Sequence, residues 1–336
     1  MSFFHSEFVS KSGAAAATAV LGLALFSGLP FLAQENPSST PPAETLKVTT
    51  GVVDVFAVVK DHHGHLVPDL TKDDFELTEN NDPQQIRYFS RETDTPLTMG
   101  ILVDTSPSQG RVLPREQVEA KAFVRQVIRP KDLAFVLHFD VDVELLQDFT
   151  GDKSRLERAI DETAIGGGGG GPLPGPFPTS SSGGTHLYDA VYLAATDALE
   201  NEIGRKVIIL LTDGEDQGSE EKLAEALQAA QKADIIIYSI NISDASFYHR
   251  QGPGYNGEPV LRKLSDETGG RVIDVNRQKD LTQAFQEIAN ELRTQYLLGY
   301  SSANTRRDGT YRKIHVRVRN GDYKVQARRG YYAPAG

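Results

Sequence analysis

From Leu97 onward the chain alternates short apolar runs with amphipathic stretches, and this alternation constrains the fold more than any other feature. The runs are Thr98–Val103, Leu133–Phe139, Val207–Leu211, Ile235–Ile240 and Arg271–Val275. Runs of this length, apolar at successive positions, suit strands buried on both faces, which a parallel sheet covered by helices provides. Between them, Val118, Ala122, Phe123 and Val127 fall on one helical face, and Leu187, Ala190, Val191 and Ala194 on another. Leu223, Ala226, Leu227 and Ala230 make a third, with Ser219 expected as its N-cap beside Glu220 and Glu221. Leu281, Ala284, Phe285, Ile288 and Leu292 make the last. The segment "VDVELLQDF" (141–149) follows its predecessor too closely for a parallel crossover, so it reads as an antiparallel edge strand. The expectation for residues 95–294 is a doubly wound α/β sheet of six strands, one of them reversed.

The flanks differ in texture. Residues 46–94 alternate apolar and polar positions in about four short strands, and residues 295–336 return to the same pattern in "QYLLGYSS", "YRKIHVRVRN" and "YKVQARRGYYAP". Neither segment has enough strands to close a sandwich alone. Domain termini often lie close together, so the two are expected to pair into one small β-sandwich from which the α/β domain emerges.

At the N-terminus, Lys11 precedes "AAAATAVLGLALFSGLPFLA" (14–33), which reads as a secretory signal in residues 1–33. Uncut, a run of about 20 residues would also span a bilayer as an anchor. Residues 34–45 are rich in Pro, Ser and Thr and read as an extended linker. The localisation expected is secreted, periplasmic or envelope-associated. Cysteine is absent, which excludes disulfides, thiolate metal sites and a cysteine nucleophile. The net charge of −11 argues against a nucleic-acid partner. A glycine- and proline-rich loop occupies 166–184, but no G-x-x-x-x-G-K-[ST] accompanies it, so it is not a phosphate cradle.

The strand ends carry the chemistry. The first α/β strand runs into "DTSPS", bringing Asp104, Ser106 and Ser108 to a loop, and "VIILLTDGED" ends a later strand in Asp213. With strand order 3-2-1-4-5-6 these two strands are neighbours, and a crevice opens between their carboxyl ends. "SGGTHLYDA" places Thr185 on the loop between them in sequence. Two carboxylates and three hydroxyls are hard oxygen donors, suited to Mg2+, Mn2+ or Ca2+ rather than zinc or copper. Paired carboxylates repel unless a proton or a cation neutralises them.

D-x-S-x-S, a later Gly-Gly-Thr and a strand ending in T-D-G resemble the metal-ion-dependent adhesion site of von Willebrand factor type A (VWFA) domains. The flanking segments "LTKDDFELTENNDPQQIRYF" and "ELRTQYLLGYSS…YRKIHVRV…ARRGYYAP" look like the exported VWFA-related group described from Acidobacteria. The resemblance implies a Rossmann-like domain and a divalent cation, Mg2+ first, at Asp104, Ser106, Ser108, Thr185 and Asp213. Ser106, Ser108 and Thr185 would touch it directly, and the two aspartates often act through water. It further implies a non-enzymatic adhesion module whose protein partner completes the coordination with an acidic side chain.

Three competing readings find less support in the residues. "DHHGH" (61–65) reads as a β-turn with incidental histidines, because no further ligand pair accompanies it. "DTS" and "GGTHL" resemble the Asp and His elements of subtilisin-like proteases, yet no Gly-Thr-Ser nucleophile element follows. Metal-assisted hydrolysis nominates no general base. The remaining alternative is a structural envelope module with a vestigial metal site.

Overall fold

A computed structural model of the chain describes residues 51–91, 95–166, 184–242, 256–275 and 280–336. The N-terminal run, the linker and most of the Gly/Pro loop lie outside the described residues.

A six-stranded sheet forms the centre, in the order β10-β9-β8-β5-β6-β7. Its strands are β5 (Leu97–Asp104), β6 (Leu133–Phe139), β7 (Val143–Thr150), β8 (Arg205–Thr212), β9 (Ile235–Asn241) and β10 (Val272–Asp274). All pairings are parallel except β6 with β7, the reversed edge strand expected from its short connection. Every residue of β5 is buried. On one face Met99, Ile101 and Val103 pack with α1 (Leu113–Val127), α2 (Lys153–Glu162) and α6 (Leu281–Arg293). On the other, Leu102, Ile208 and Leu210 pack with α3 (Leu187–Leu193), α4 (Leu223–Lys232) and α5 (Glu258–Thr268).

Two expectations about helices are corrected. Val118 and Ala122 are exposed, and the buried face of α1 is Leu113, Glu116, Ala120, Phe123, Val124 and Val127. The apolar pattern alone set the wrong phase because one position of the true face holds a carboxylate. Ser219 does not cap α4, whose N-cap position is Lys222. Its hydroxyl instead accepts hydrogen bonds from the Tyr188 and Asp189 amides, at 3.2 and 3.3 Å, in the first turn of α3. Asp189 returns the contact by accepting from the Glu220 and Glu221 amides at 3.0 and 2.8 Å. Asp216 also serves α3, accepting from the Tyr188 amide at 3.0 Å. The reason is tertiary: the loop after β8 passes over the start of α3 before α4 begins.

The flanking segments interleave. β1 (Val52–Lys60) lies between β11 (Tyr296–Ser301) and β13 (Lys324–Ala327), and β4 (Ile86–Arg91) completes that sheet. β12 (Tyr311–Val318) lies between β2 (Phe75–Glu79) and β14 (Gly330–Tyr332), with β3 (Asp82–Gln84) outside β2. Val55, Val59, Phe75, Leu77, Leu298, Ile314 and Tyr331 share one hydrophobic cluster between the sheets. The last expected strand is divided at Arg328–Arg329, sending β13 to one sheet and β14 to the other. "DHHGH" closes as a turn, with Asp61 accepting from the amides of His63 and His65 and Gly64 at φ +87°.

Candidate metal centre

β5 and β8 are central neighbours whose following helices lie on opposite faces, so their carboxyl ends border a crevice. Asp104 ends β5 there, fully buried. Its Oδ1 accepts the Ser106 amide at 2.9 Å and its Oδ2 accepts the Thr212 hydroxyl at 2.5 Å. A 3-10 turn over Pro107–Gln109 follows, and Pro107 at its start fixes the backbone so that two serines flank the bend. Ser106 Oγ and Ser108 Oγ are 3.0 Å apart, and the Ser108 hydroxyl donates to Asp213 Oδ2 at 2.8 Å. Gln109 Nε2 donates to the same oxygen at 2.9 Å.

Asp213 is held by the turn after β8. Gly214, at φ +83°, donates its amide to the Thr212 hydroxyl, and a Cβ there would sit 2.6 Å from the Gly257 carbonyl oxygen. Only glycine combines that left-handed backbone with so close an approach to the start of α5. The Glu215 amide donates to Asp213 Oδ1 at 3.1 Å.

Ser106, Ser108 and Asp213 therefore form one hydrogen-bonded chain of oxygens, tied to Asp104 through the Ser106 amide. Thr185 lies buried on the adjoining loop. It is bridged to Gln217 through backbone bonds of 3.2 and 2.8 Å, and the His186 amide donates to the Asp140 carbonyl at 2.7 Å. The Thr185 hydroxyl makes no hydrogen bond to Asp104, Ser106, Ser108 or Asp213.

Burial, and then the neighbouring Asp213 charge, push the Asp104 carboxyl up to about 7, against the hydrogen bonds from Ser106 and Thr212 that favour its charged form. A third carboxylate was missed by sequence reasoning. Glu116, in the first turn of α1, is 1 % exposed. Burial raises it well above the ordinary range, and the charges of Asp104 and Asp213 add to the rise. The available signal was its spacing: Glu116 stands four, seven and eight residues before Ala120, Phe123 and Val124 on the apolar face. Thr212 and Gln109 complete the missed set, both as partners of the aspartates.

Comparison with known proteins decides the family. Two models, both described as von Willebrand factor type A domain, match residues 99–215 and 175–287. The chain is a member of the von Willebrand factor type A family. The A domain so defined spans the six-stranded sheet and the whole oxygen cluster. A curated relative from Borreliella burgdorferi, described as an uncharacterized protein, is 24% identical over 208 residues, and the match covers 57% of each chain. The chain thus spans little more than half of that relative's length. Among solved structures, BatB from Bacteroides thetaiotaomicron is 18% identical, with a TM-score of 0.44, over 58% of this chain and 97% of that one. Proximal thread matrix protein 1 from the mussel byssus, with a zinc-occupied MIDAS motif, is 17% identical, with a TM-score of 0.46, over 62% of this chain and 48% of its own.

Among the described residues no three His, Asp or Glu side chains converge as a metal-holding group. The oxygens that converge in the A domain come from two carboxylates and two serine hydroxyls. No described helix is long and apolar enough to cross a membrane.

Proposed function

We propose that this chain is an exported, non-enzymatic interaction module. Its A domain binds a divalent cation through Ser106, Ser108, Asp104, Asp213 and Thr185, and an acidic side chain of a partner protein completes the shell. The observation that carries this reading is the convergence of buried hard oxygens: Ser106 Oγ, Ser108 Oγ and Asp213 Oδ2 follow one another in hydrogen bonds of 3.0 and 2.8 Å. Hard oxygen donors of this kind suit Mg2+ or Mn2+.

A cation there would neutralise two carboxylates that now oppose each other. Hydroxyls add no charge, so the ion would keep an affinity for one more anionic oxygen. Metal and partner would then bind with reciprocal coupling. Export rests on the apolar run at 14–33.

The test is thermal unfolding of the chelator-stripped full chain with and without Mg2+ or Mn2+. The reading expects a rise in Tm with the wild type and none with Asp104→Ala, because a ligand that binds only the folded state stabilises it. Equal Tm values for the wild type with and without either cation contradict it.

A further inference from the structure

Three buried acceptor atoms, on the turn after β5 and on the first turn of α1, have no donor. They are Gln109 Oε1 and both carboxylate oxygens of Glu116. A buried carboxylate without a single hydrogen bond is costly, and proteins seldom carry one without use. Gln109 is oriented by the centre itself, since its Nε2 donates to Asp213 Oδ2 and Ser108 Oγ at 2.9 and 3.3 Å. That orientation leaves its Oε1 facing away, unpartnered. Glu116 is fixed from below by α1, its amide bonded to the Val112 carbonyl at 3.0 Å, while the Val112 amide bonds to Gln109 at 2.9 Å. One backbone path therefore joins the two orphaned groups to Ser108.

With Glu116 ionised, as a nearby cation favours, the orphans are all acceptors. Water molecules bound to a cation offer hydrogens outward, so a lining of acceptors without donors suits the surroundings of a hydrated ion. Glu116 also belongs electrostatically to the centre, where Asp104 and Asp213 both act on it. It does not converge with them into a three-carboxylate ligand group, so its role is indirect.

We propose that Glu116 is a positioning residue of the cation site: it stays off the ion and accepts from the ion's water, adding a third negative charge that strengthens the hold on a divalent cation. The inference rests on the metal-centre reading above. It assigns a role to a side chain outside the D-x-S-x-S, Gly-Gly-Thr and T-D-G elements.

The experiment is calorimetric titration of Mn2+ into the chelator-stripped full chain, comparing wild type, Glu116→Gln, Glu116→Met and Asp104→Ala. Replacing a residue that supports metal ligands typically lowers affinity ten- to a hundred-fold, so Glu116→Gln should weaken Mn2+ binding by about that factor. Glu116→Met, which fills the space without polar atoms, should weaken it at least as much while unfolding no earlier than wild type in chelator. Unchanged Mn2+ affinity in both Glu116 variants, with binding lost in Asp104→Ala, overturns this inference and leaves the centre standing. Absence of Mn2+ binding by the wild type overturns both.

Discussion

At the residue scale, the account turns on acidic groups held where water cannot reach them. Without metal, Asp104 keeps its proton up to about 7, whereas its ordinary value is 3.8. Below 3.8 the group is protonated whether the chain is folded or not. Between that value and about 7 the unfolded chain has released the proton and the folded chain has not, so stability falls as pH rises. Glu116 shifts in the same direction and adds to the loss. In chelator, Tm of the wild type should therefore fall on going from pH 4 to pH 8, with Asp104→Asn showing a shallower slope. Equal slopes in the two proteins contradict this. Asp104 and Asp213 were legible because each stands at the end of an apolar run, and Ser106 and Ser108 because they alternate in the loop after Asp104. Glu116 was not, because Arg115, Gln117 and Glu119 around it make the stretch look solvated. The packing of Phe123 and Val124 shows which side of α1 turns inward.

At the element scale, the loops that carry the site are locked by exchanged caps. Asp216 and Ser219, on the loop after β8, serve the first turn of α3, and Asp189 of α3 serves the approach to α4. Thr185 sits two residues before α3, so the same exchange sets its position. Removing the Asp189 carboxylate leaves two backbone amides without their acceptor. Asp189→Ala should cost about 2 kcal/mol, from two hydrogen bonds to a charged group. The urea midpoint measures this, and a midpoint equal to that of the wild type contradicts it. Helix phases at α3, α4 and α6 were readable from their apolar spacing. The caps were not, because a side chain that serves a helix distant in sequence leaves no local pattern. Helices α2 and α5 left little trace as well. Each buries only a few apolar side chains, Leu156, Ala159 and Ile160 in one and Leu261 and Leu264 in the other.

At the scale of the whole molecule, the first and last segments of the described chain hold each other. Between their sheets lies Glu79, 2 % exposed, which accepts from the Tyr300, Tyr331 and Ser302 hydroxyls at 2.8, 2.9 and 2.7 Å. Arg312, equally buried, lies 3.6 Å from it and donates to the Asn304 carbonyl at 2.5 Å. A half-buried cluster joins the sandwich to the A domain. Lys60 of β1 and Arg271 both donate to Glu291 of α6, at 2.7 and 2.8 Å. Breaking a buried ion pair from one side costs about 3–5 kcal/mol because the other charge remains. Arg312→Ala should fall in that range by chemical unfolding, whereas Arg317→Ala, on the exposed side of the same strand, should cost under about 1 kcal/mol. Equal costs at the two positions contradict this. That the two β segments needed each other was legible from their shortage of strands. Which strand meets which was not, because register between segments more than 200 residues apart is set by long-range packing such as Leu77 opposite Val316.

The central claim is that a divalent cation sits among the oxygens at the ends of β5 and β8. Anomalous diffraction from a crystal of the full chain soaked in Mn2+ tests it most directly. The account predicts one strong peak bonded to Ser106 Oγ and Ser108 Oγ, absent in Asp104→Ala. A peak elsewhere, or none in a wild-type crystal, would contradict it.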